Sequence, residues 1–455
     1  INKKSKSTFR KKPYKKNLLI FGILFGFSFY ICGISWITNS LTFDDNFRIL
    51  IPFALIFIPF FLSLFMGFII LIIGPFLKFN FSSIFIFSFG IALSDFLRAK
   101  LFGGFPWNLW AYSFSWSPEI IQVVNSIGVF SFNLIVITIF TLPAAIFYKI
   151  NFFKKIVILI IPLFTIFAFY IYGNYKINKN NNDLKLENKK IHFKIVSPSF
   201  DLDYGLNINQ IENKLKKLIR YSEPDKEKKT IIIWPEGVFS GYNFDEILSF
   251  KNLFKKNFGK NNYIIFGINK ASADSDRFFN SIVLVNNDLK IIGEYQKQKL
   301  VPFGEFLPFE NILSRFGLKK ITEGYGSFVK GQYKNNIIFE DLNILPLICY
   351  EVIFPSLIQN AELSTNIVVN ISEDAWFGKT IGPDQHFAKS IFRAVESGSF
   401  LLRSANKGIS AIINNKGVII KQLNQNEVGS IEYDVPLIKI KNNKNDLIFF
   451  ILLIT

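Results

Sequence analysis

Long unbroken apolar blocks fill the first third of the chain. Five of them, near residues 18–39, 49–77, 81–101, 119–148 and 156–174, are each long enough to cross a bilayer as a helix. Together, residues 18–174 read as a helical membrane domain of five spans. The segment before them, residues 1–17, carries Lys3, Lys4, Lys6, Arg10, Lys11, Lys12, Lys15 and Lys16. Lys78 and the group Lys149, Lys154 and Lys155 mark two of the intervening loops. Basic flanks stay on the cytoplasmic side, so the N-terminal segment is expected inside and the loop with Asp44 and Asp45 outside. Five crossings then deliver residue 175 onward to the outer face.

The texture changes after the last block. Residues 175–188 are polar, rich in Asn and Lys, and read as a linker. Over 189–445 the apolar runs are short and β-rich. Strands are expected at Ile191–Val196, Thr230–Trp234, Tyr263–Ile268, Ser281–Val285, Ile337–Glu340, Leu345–Ile348, Asn366–Ile371, Gly408–Ile413 and Gly429–Tyr433. Amphipathic helices fit at Ile208–Tyr221 and Ser356–Leu363. Continuous apolar strands imply a buried sheet covered by helices, an α/β domain. Residues 446–455 open a further membrane helix, but its apolar tail is about half the length a bilayer needs. With Ile at position 1, both ends read as clipped from a longer chain.

Composition supports the membrane reading. Half of the 455 residues are hydrophobic, and the 55 phenylalanines are read as codon drift, not function. The net charge of +18 raises nucleic acid as a partner, but the basic residues cluster beside apolar segments, where they serve topology and anionic lipid. No nucleic-acid partner is therefore expected. Two cysteines exclude a disulfide framework, and Cys32 lies within a hydrophobic span. Two histidines and one credible cysteine form no zinc-like cluster, and no phosphate-loop or dinucleotide motif is present, so no metal and no cofactor are expected.

Three residues then stand out at the ends of apolar runs. Glu236 follows Ile231-Ile232-Ile233-Trp234-Pro235, Lys297 follows Tyr295-Gln296, and Cys349 follows Leu345-Pro346-Leu347-Ile348. A lone cysteine also serves as a small buried hydrophobe. With a carboxylate and a lysine in the same site, it becomes a thiol nucleophile with a base and an oxyanion partner. Position alone does not separate Lys297 from Lys299. Glu305 offers an ion pair to the lysine. Glu351 either holds the local loop or lines the pocket. Trp234 is expected to wall Glu236. His386 is the competing partner for the thiol. The stretch Lys100–Asn108, with Gly103, Gly104, Phe105, Pro106 and Trp107, is either an aromatic anchor at the membrane interface or the rim of a lipid entry.

The elements Trp234-Pro235-Glu236, Tyr295-x-Lys297 and Cys349-Tyr350-Glu351 resemble the nitrilase superfamily, with its Glu-Lys-Cys triad on an αββα sandwich. Leu300-Val301-Pro302-Phe303-Gly304-Glu305-Phe306-Leu307-Pro308 is similar to the lysine loop of the apolipoprotein N-acyltransferases. So are Asp374-Ala375-Trp376-Phe377-Gly378, Gly382-Pro383-x-Gln385-His386-Phe387, Leu402–Ser410 and Gly104-Phe105-Pro106-Trp107. That resemblance implies an inner-membrane enzyme of eight spans with a periplasmic catalytic domain; two N-terminal spans and the end of the eighth would lie beyond this chain. It implies Glu236 as base and acid, Lys297 as oxyanion stabiliser and Cys349 as nucleophile. Glu305, Tyr350 and Glu351 are supporting residues, and Trp107, Trp234, Trp376 and Phe377 are candidates for substrate contact. The implied partners are a phospholipid donor, phosphatidylethanolamine by analogy, and a diacylglyceryl apolipoprotein acceptor, handled by a monomer.

Two features depart from the family pattern. Glu373 stands where Asn is usual, which weakens a role for that position. The loop Asp203-Tyr204-Gly205-Leu206 lacks the usual Trp, leaving Tyr204 or Leu206 to pack there. Two other functions compete: a membrane-anchored amidase acting on small amides, and a transporter or scaffold, for which Asp95 is the main intramembrane charge.

Overall fold

The computed structural model of the chain describes residues 13–148, 150–187, 189–203, 205–272, 277–316, 320, 326–331, 336–440 and 445–454. Lys3, Lys4, Lys6, Arg10, Lys11, Lys12, Lys149 and Tyr204 lie outside the described residues. The chain divides into two units, Ile1–Lys179 with Asn443–Thr455, and Asn180–Asn442.

The first unit is built on α1 (Pro13–Ile34), α2 (Ile51–Ile73), α3 (Ser82–Lys100), α4 (Val124–Thr141) and the part of α5 (Phe152–Leu186) up to Lys179. With their short 3₁₀ extensions, these give five helical segments long and apolar enough to cross a membrane. In lipid every backbone group must bond internally, which a continuous apolar helix achieves. α1 and α2 pack closely because a Cβ on Gly22 would stand only 2.8 Å from Gly67 Cα. The C-terminal helix (Asn445–Ile454) belongs to this unit, stacking Phe449 on Phe96 at 5.0 Å.

Residues 175–186, expected as a linker, are helical. No Pro or Gly follows Gly173 to break the helix. Asn178 Nδ2 also donates to Asn174 Oδ1 one turn back, at 3.2 Å.

The intramembrane charge Asp95 is fully enclosed in a polar clamp. Arg98 Nη2 donates to Asp95 Oδ1 at 2.8 Å, and Asn133 Nδ2 donates to Asp95 Oδ2 at 2.9 Å. Arg98 also bonds the Phe105 carbonyl, and Asn133 Oδ1 accepts from Ala111 N at 3.0 Å. The irregular stretch after α3 is thereby tied to α3 and α4, and its freed backbone groups find partners inside the unit. Trp107 lies in that stretch, buried against Trp36 at a ring distance of 4.6 Å.

The second unit holds two six-stranded sheets. The first has the order β12-β1-β2-β3-β4-β5, with β1 (Lys190–Ser197), β2 (Thr230–Ile233), β3 (Asn262–Ala271), β4 (Phe278–Val285), β5 (Ile291–Gln296) and β12 (Gly429–Pro436). The second has the order β11-β10-β9-β8-β7-β6, with β6 (Ile337–Phe339), β7 (Leu342–Ile348), β8 (Ile367–Glu373), β9 (Leu401–Asn406), β10 (Ser410–Ile413) and β11 (Ile419–Leu423). Each sheet has a parallel trio, β1-β2-β3 and β7-β8-β9, flanked by antiparallel strands. Strands buried on both faces are mostly apolar, which explains Ile231–Ile233 of β2, Ile344–Ile348 of β7 and Ile367–Val369 of β8.

The sheets pack face to face through Ile231, Ile233, Ile265 and Ile282 on one side and Ile344, Ile348, Val369 and Ile371 on the other. The outer face of the first sheet, including Ile232, Trp234, Ile264 and Phe266, packs on Ile211, Leu215 and Leu218 of α6 (Ile208–Ser222) and on Phe254 and Phe258. Helix α7 (Gly382–Ser397) covers the second sheet beside β9. The result is an αββα sandwich.

Three strands lie outside the expected set. β5 is interrupted by Gly293, β9 carries Arg403, Ser404 and Asn406, and β11 is a largely exposed edge. The helix expected at Ser356–Leu363 is shorter, Pro355–Gln359.

Phe266 is fully buried, with ring centroids 5.9 Å from Trp234 and 5.4 Å from Phe239. Phe266→Ala should lower unfolding stability by about 3–5 kcal/mol. Urea unfolding of the detergent-solubilised protein measures it, and a loss under about 1 kcal/mol would show that this layer does not carry the sandwich.

Candidate active site

The polar cluster sits where the central strands end. After β2 the chain turns at Glu236-Gly237, with Gly237 at φ +79°. A Cβ there would stand 2.3 Å from Glu373 Oε2, so only glycine fits both the backbone angle and the space. After β7 the chain turns at Cys349, with φ +46°. A left-handed non-glycine residue costs of order 1–3 kcal/mol and persists where the surroundings hold it. It lifts the cysteine off the strand line into a short 3₁₀ turn, Cys349–Ile353.

Lys297 follows β5 and is 1% exposed. Its backbone N–H donates to Asn280 O at 2.9 Å, and its Nζ donates to Glu305 Oε1 at 2.9 Å and lies 3.8 Å from Glu236 Oε1. Lys299, which sequence position leaves equivalent, points elsewhere, with its ammonium 5.0 Å over the Phe354 ring. Burial pulls the Lys297 pKa down, but Glu305 and Glu236 outweigh it and hold the ammonium charged.

Glu236 Oε1 accepts from Asn280 Nδ2 at 2.8 Å, and Oε2 accepts from Glu373 N at 3.1 Å. Burial raises its pKa, opposed by the Lys297 charge. Asn280 also donates to Glu305 Oε1 at 2.7 Å, and Val301 N donates to Glu305 Oε2 at 2.8 Å. The Cys349 thiol is pushed up by burial and then by Glu236, while Lys297 draws it down. It rests as a thiol, within electrostatic reach of both partners.

Glu351 is fully buried and holds the loop. Tyr295 Oη donates to its Oε1 at 2.8 Å, as do Gln298 N at 2.7 Å and Lys299 N at 3.1 Å, while Ile348 N donates to Oε2 at 2.9 Å. It therefore joins the lysine turn to the cysteine turn. Tyr350 is half-buried and meets Phe354 edge-on at 5.1 Å.

His386 is turned from the sulfur. Its Nε2 donates to the Cys349 carbonyl at 3.2 Å, and its Nδ1 lies 3.0 Å from Asp374 Oδ1 and 3.1 Å from Arg403 Nη2. Burial lowers its pKa, opposed by the Asp374 charge beside it. Asp374 remains ionised despite burial because Arg403, paired at 2.7 Å, and His386 hold its pKa down. His386, Asp374 and Arg403 brace the cysteine backbone from the second sheet.

Trp234, expected to wall the carboxylate, is sealed in the outer core, its Nε1 bonded to Ser222 Oγ at 2.8 Å. Side chains alternate along a strand, so with Ile233 facing the partner sheet Trp234 faces the helices. Phe377 is buried against the His386 ring at 5.3 Å, and Trp376 beside it is half-buried. Asn280 carried no sequence signal, and Arg403 and Asn406 entered only as letters of the Leu402–Ser410 motif, because each acts through a neighbouring strand. Among the described residues no group of three His, Cys, Asp or Glu side chains forms a metal site.

Residues 204–444 match the carbon-nitrogen hydrolase family, and residues 7–142 match the apolipoprotein N-acyltransferase N-terminal domain. The apolipoprotein N-acyltransferase of Rhizobium leguminosarum bv. trifolii (strain WSM2304) is 31% identical, over 91% of this chain and 79% of that protein. The apolipoprotein N-acyltransferase of Rickettsia prowazekii (strain Madrid E) is 32% identical, over 91% and 83%. The chain belongs to the apolipoprotein N-acyltransferases. It is a membrane-embedded acyltransferase. A solved structure it also resembles is Saccharomyces cerevisiae Nit3, a member of branch 10 of the nitrilase superfamily, with a TM-score of 0.39 and 17% identity over 55% of this chain and 92% of that one.

Glu351→Ala would strand four donors in a buried place, each costing about 1–3 kcal/mol. It should destabilise the protein by at least about 3 kcal/mol, and Glu351→Gln by less, since the amide oxygen still accepts. Thermal unfolding in detergent decides, and equal losses for the two variants would rule out the acceptor role.

Proposed function

We propose that the protein transfers an acyl chain from a phospholipid, through a thioester on Cys349, to the N-terminal amine of a diacylglyceryl-cysteine in apolipoproteins. The observation that carries this reading is the charged lysine and the half-buried carboxylate, 3.8 Å apart, beside a thiol on a left-handed turn.

Glu236 takes the thiol proton as Cys349 Sγ attacks the ester carbonyl carbon. The carbonyl oxygen becomes an oxyanion beside Lys297, whose charge is fixed before the reaction and needs no rearrangement. The tetrahedral adduct collapses, the ester C–O bond breaks, and Glu236 returns the proton to the departing lysophospholipid oxygen. The thioester remains. The acceptor amine has a reference pKa of about 8, so a base still helps at neutral pH. Glu236 takes its proton as nitrogen attacks, the C–S bond breaks, and the proton goes to the thiolate. Glu305 and Asn280 position Lys297 and Glu236 through the cycle. Trp376 and Tyr350, both half-buried, are proposed to contact lipid. The donor is proposed to be phosphatidylethanolamine. The enzyme is proposed to act as a monomer in the bacterial inner membrane, with residues 189–445 as the periplasmic catalytic domain.

Incubation with acyl-labelled phospholipid should give an acyl adduct on the wild type by mass spectrometry, and none on Cys349→Ala; an adduct on the Ala variant would remove Cys349 as nucleophile. Lys297→Arg keeps the charge but not the geometry, and should lower turnover by about 10²-fold. Release of ammonia from small amides without lipid would favour an amidase instead.

The base works only when ionised, and burial lifts Glu236 above the ordinary carboxylate value of about 4.3. Its activity is therefore lost as pH falls through that raised pKa. The acidic limb of kcat/KM for acyl transfer should have its midpoint above about 4.3, and Glu236→Gln should lower the rate by about 10²–10⁴-fold. A flat profile from pH 4 to 7 would exclude Glu236 as the base.

A further inference from the structure

Five carboxyl side chains surround the site: Glu236, Glu305, Glu351, Glu373 and Asp374. Four of them have evident compensation. Glu305 pairs with Lys297 at 2.9 Å and Asp374 with Arg403 at 2.7 Å. Glu236 lies 3.8 Å from Lys297, and Glu351 accepts from four donors. Glu373 differs. It is 3% exposed, and among the described residues it forms no ion pair. Its Oε1 accepts from Ala375 N at 3.0 Å, and Asn406 Nδ2 is shared between Oε1 at 3.1 Å and Oε2 at 2.8 Å.

The orientation of Asn406 is fixed, because its Oδ1 accepts from Phe200 N at 2.8 Å and its Nδ2 also donates to Phe200 O at 2.9 Å. One shared amide hydrogen and one backbone N–H are thin support for a buried anion. Glu373 also grips the turn that carries Glu236. Its backbone N–H donates to Glu236 Oε2, and its carboxyl lies against the Gly237 Cα.

We propose that Glu373 is held as a neutral carboxylic acid and is a positioning residue for Glu236: its N–H orients the base, and its uncharged carboxyl spares the base a neighbouring negative charge. The inference rests on the reading of Glu236 as the base. The charged groups facing Glu373 are Glu236 from the β2 turn, Asp374 from its own turn and Lys214 from α6, and Lys214 already pairs with Asp203 at 3.6 Å. Burial raises the Glu373 pKa well above the ordinary value, and Glu236 and Asp374 push it the same way. A like charge beside Glu236 would make it too reluctant an acid; a neutral neighbour leaves its strength to Lys297 and burial.

The test uses full-length protein in lipid nanodiscs. Infrared difference spectra at pH 7 should show a protonated-carboxyl C=O band in the wild type that Glu373→Gln removes. Glu373→Asn, the shorter amide, serves if the Gln variant does not fold. Glu373→Gln should keep the acidic midpoint of kcat/KM where the wild type has it, while Glu373→Ala, which strands Ala375 N and Asn406, should lower kcat by about tenfold. Absence of the band, a midpoint moved down by about one unit in Glu373→Gln, or wild-type kcat in Glu373→Ala would each overturn the proposal. Failure of the base reading is told apart by Glu236→Asp: if the wild-type midpoint does not move in that variant, Glu236 is not the titrating base, whereas the infrared band is read without turnover.

Discussion

An ammonium ion shut away from water dictates the design of the catalytic unit. Lys297 is 1% exposed, and an isolated buried charge would cost several kcal/mol. Glu305 answers that charge directly, and Glu236 answers it from farther off. Asn280 bonds both carboxylates with one amide, fixing the spacing between them. The proton affinity of Glu236, the resting state of the thiol and the fixed charge beside it all follow from this neutralisation. Removing either carboxylate changes the others, so the group behaves as one electrostatic object.

The cysteine backbone is held by a second network. The Asp374–Arg403–His386 group is completely enclosed, and it meets Cys349 through the backbone carbonyl. It fixes where the sulfur is carried without sharing its proton. Two adjacent sheets thus divide the labour: the first supplies charge, the second supplies position. The same division appears in the membrane unit, where the Asp95–Arg98 pair braces an irregular stretch and leaves no free charge among the clamp's members.

Much of this was written in the apolar runs. β2 and β7 end in polar residues that nothing apolar explains, and Glu236 and Cys349 are those residues. The five membrane segments were equally plain, because lipid tolerates few alternatives. Other features were hidden for definite reasons. Lys297 and Lys299 differ only in which way the turn aims them. β9 was concealed by Arg403 and Asn406, polar residues that are buried because they serve the neighbouring strand. Glu373 had little to recommend it as a sequence letter, since its contribution to Glu236 is a backbone N–H. Trp234 was misjudged through its neighbour, although the two-residue alternation of the strand already assigned it to the helix side.

Glu351 fastens four groups from two distant stretches of chain to one carboxylate. The lysine turn and the cysteine elbow are therefore a single rigid block, and neither can swing without tearing the other's bonds. On the mechanism proposed above, one lipid-bearing molecule enters and later another, and neither is accommodated by reshaping the reacting centre. Exchange has to be handled by the molecules that come and go and by the surrounding surface, while the chemistry stays bolted in place like a vice jaw.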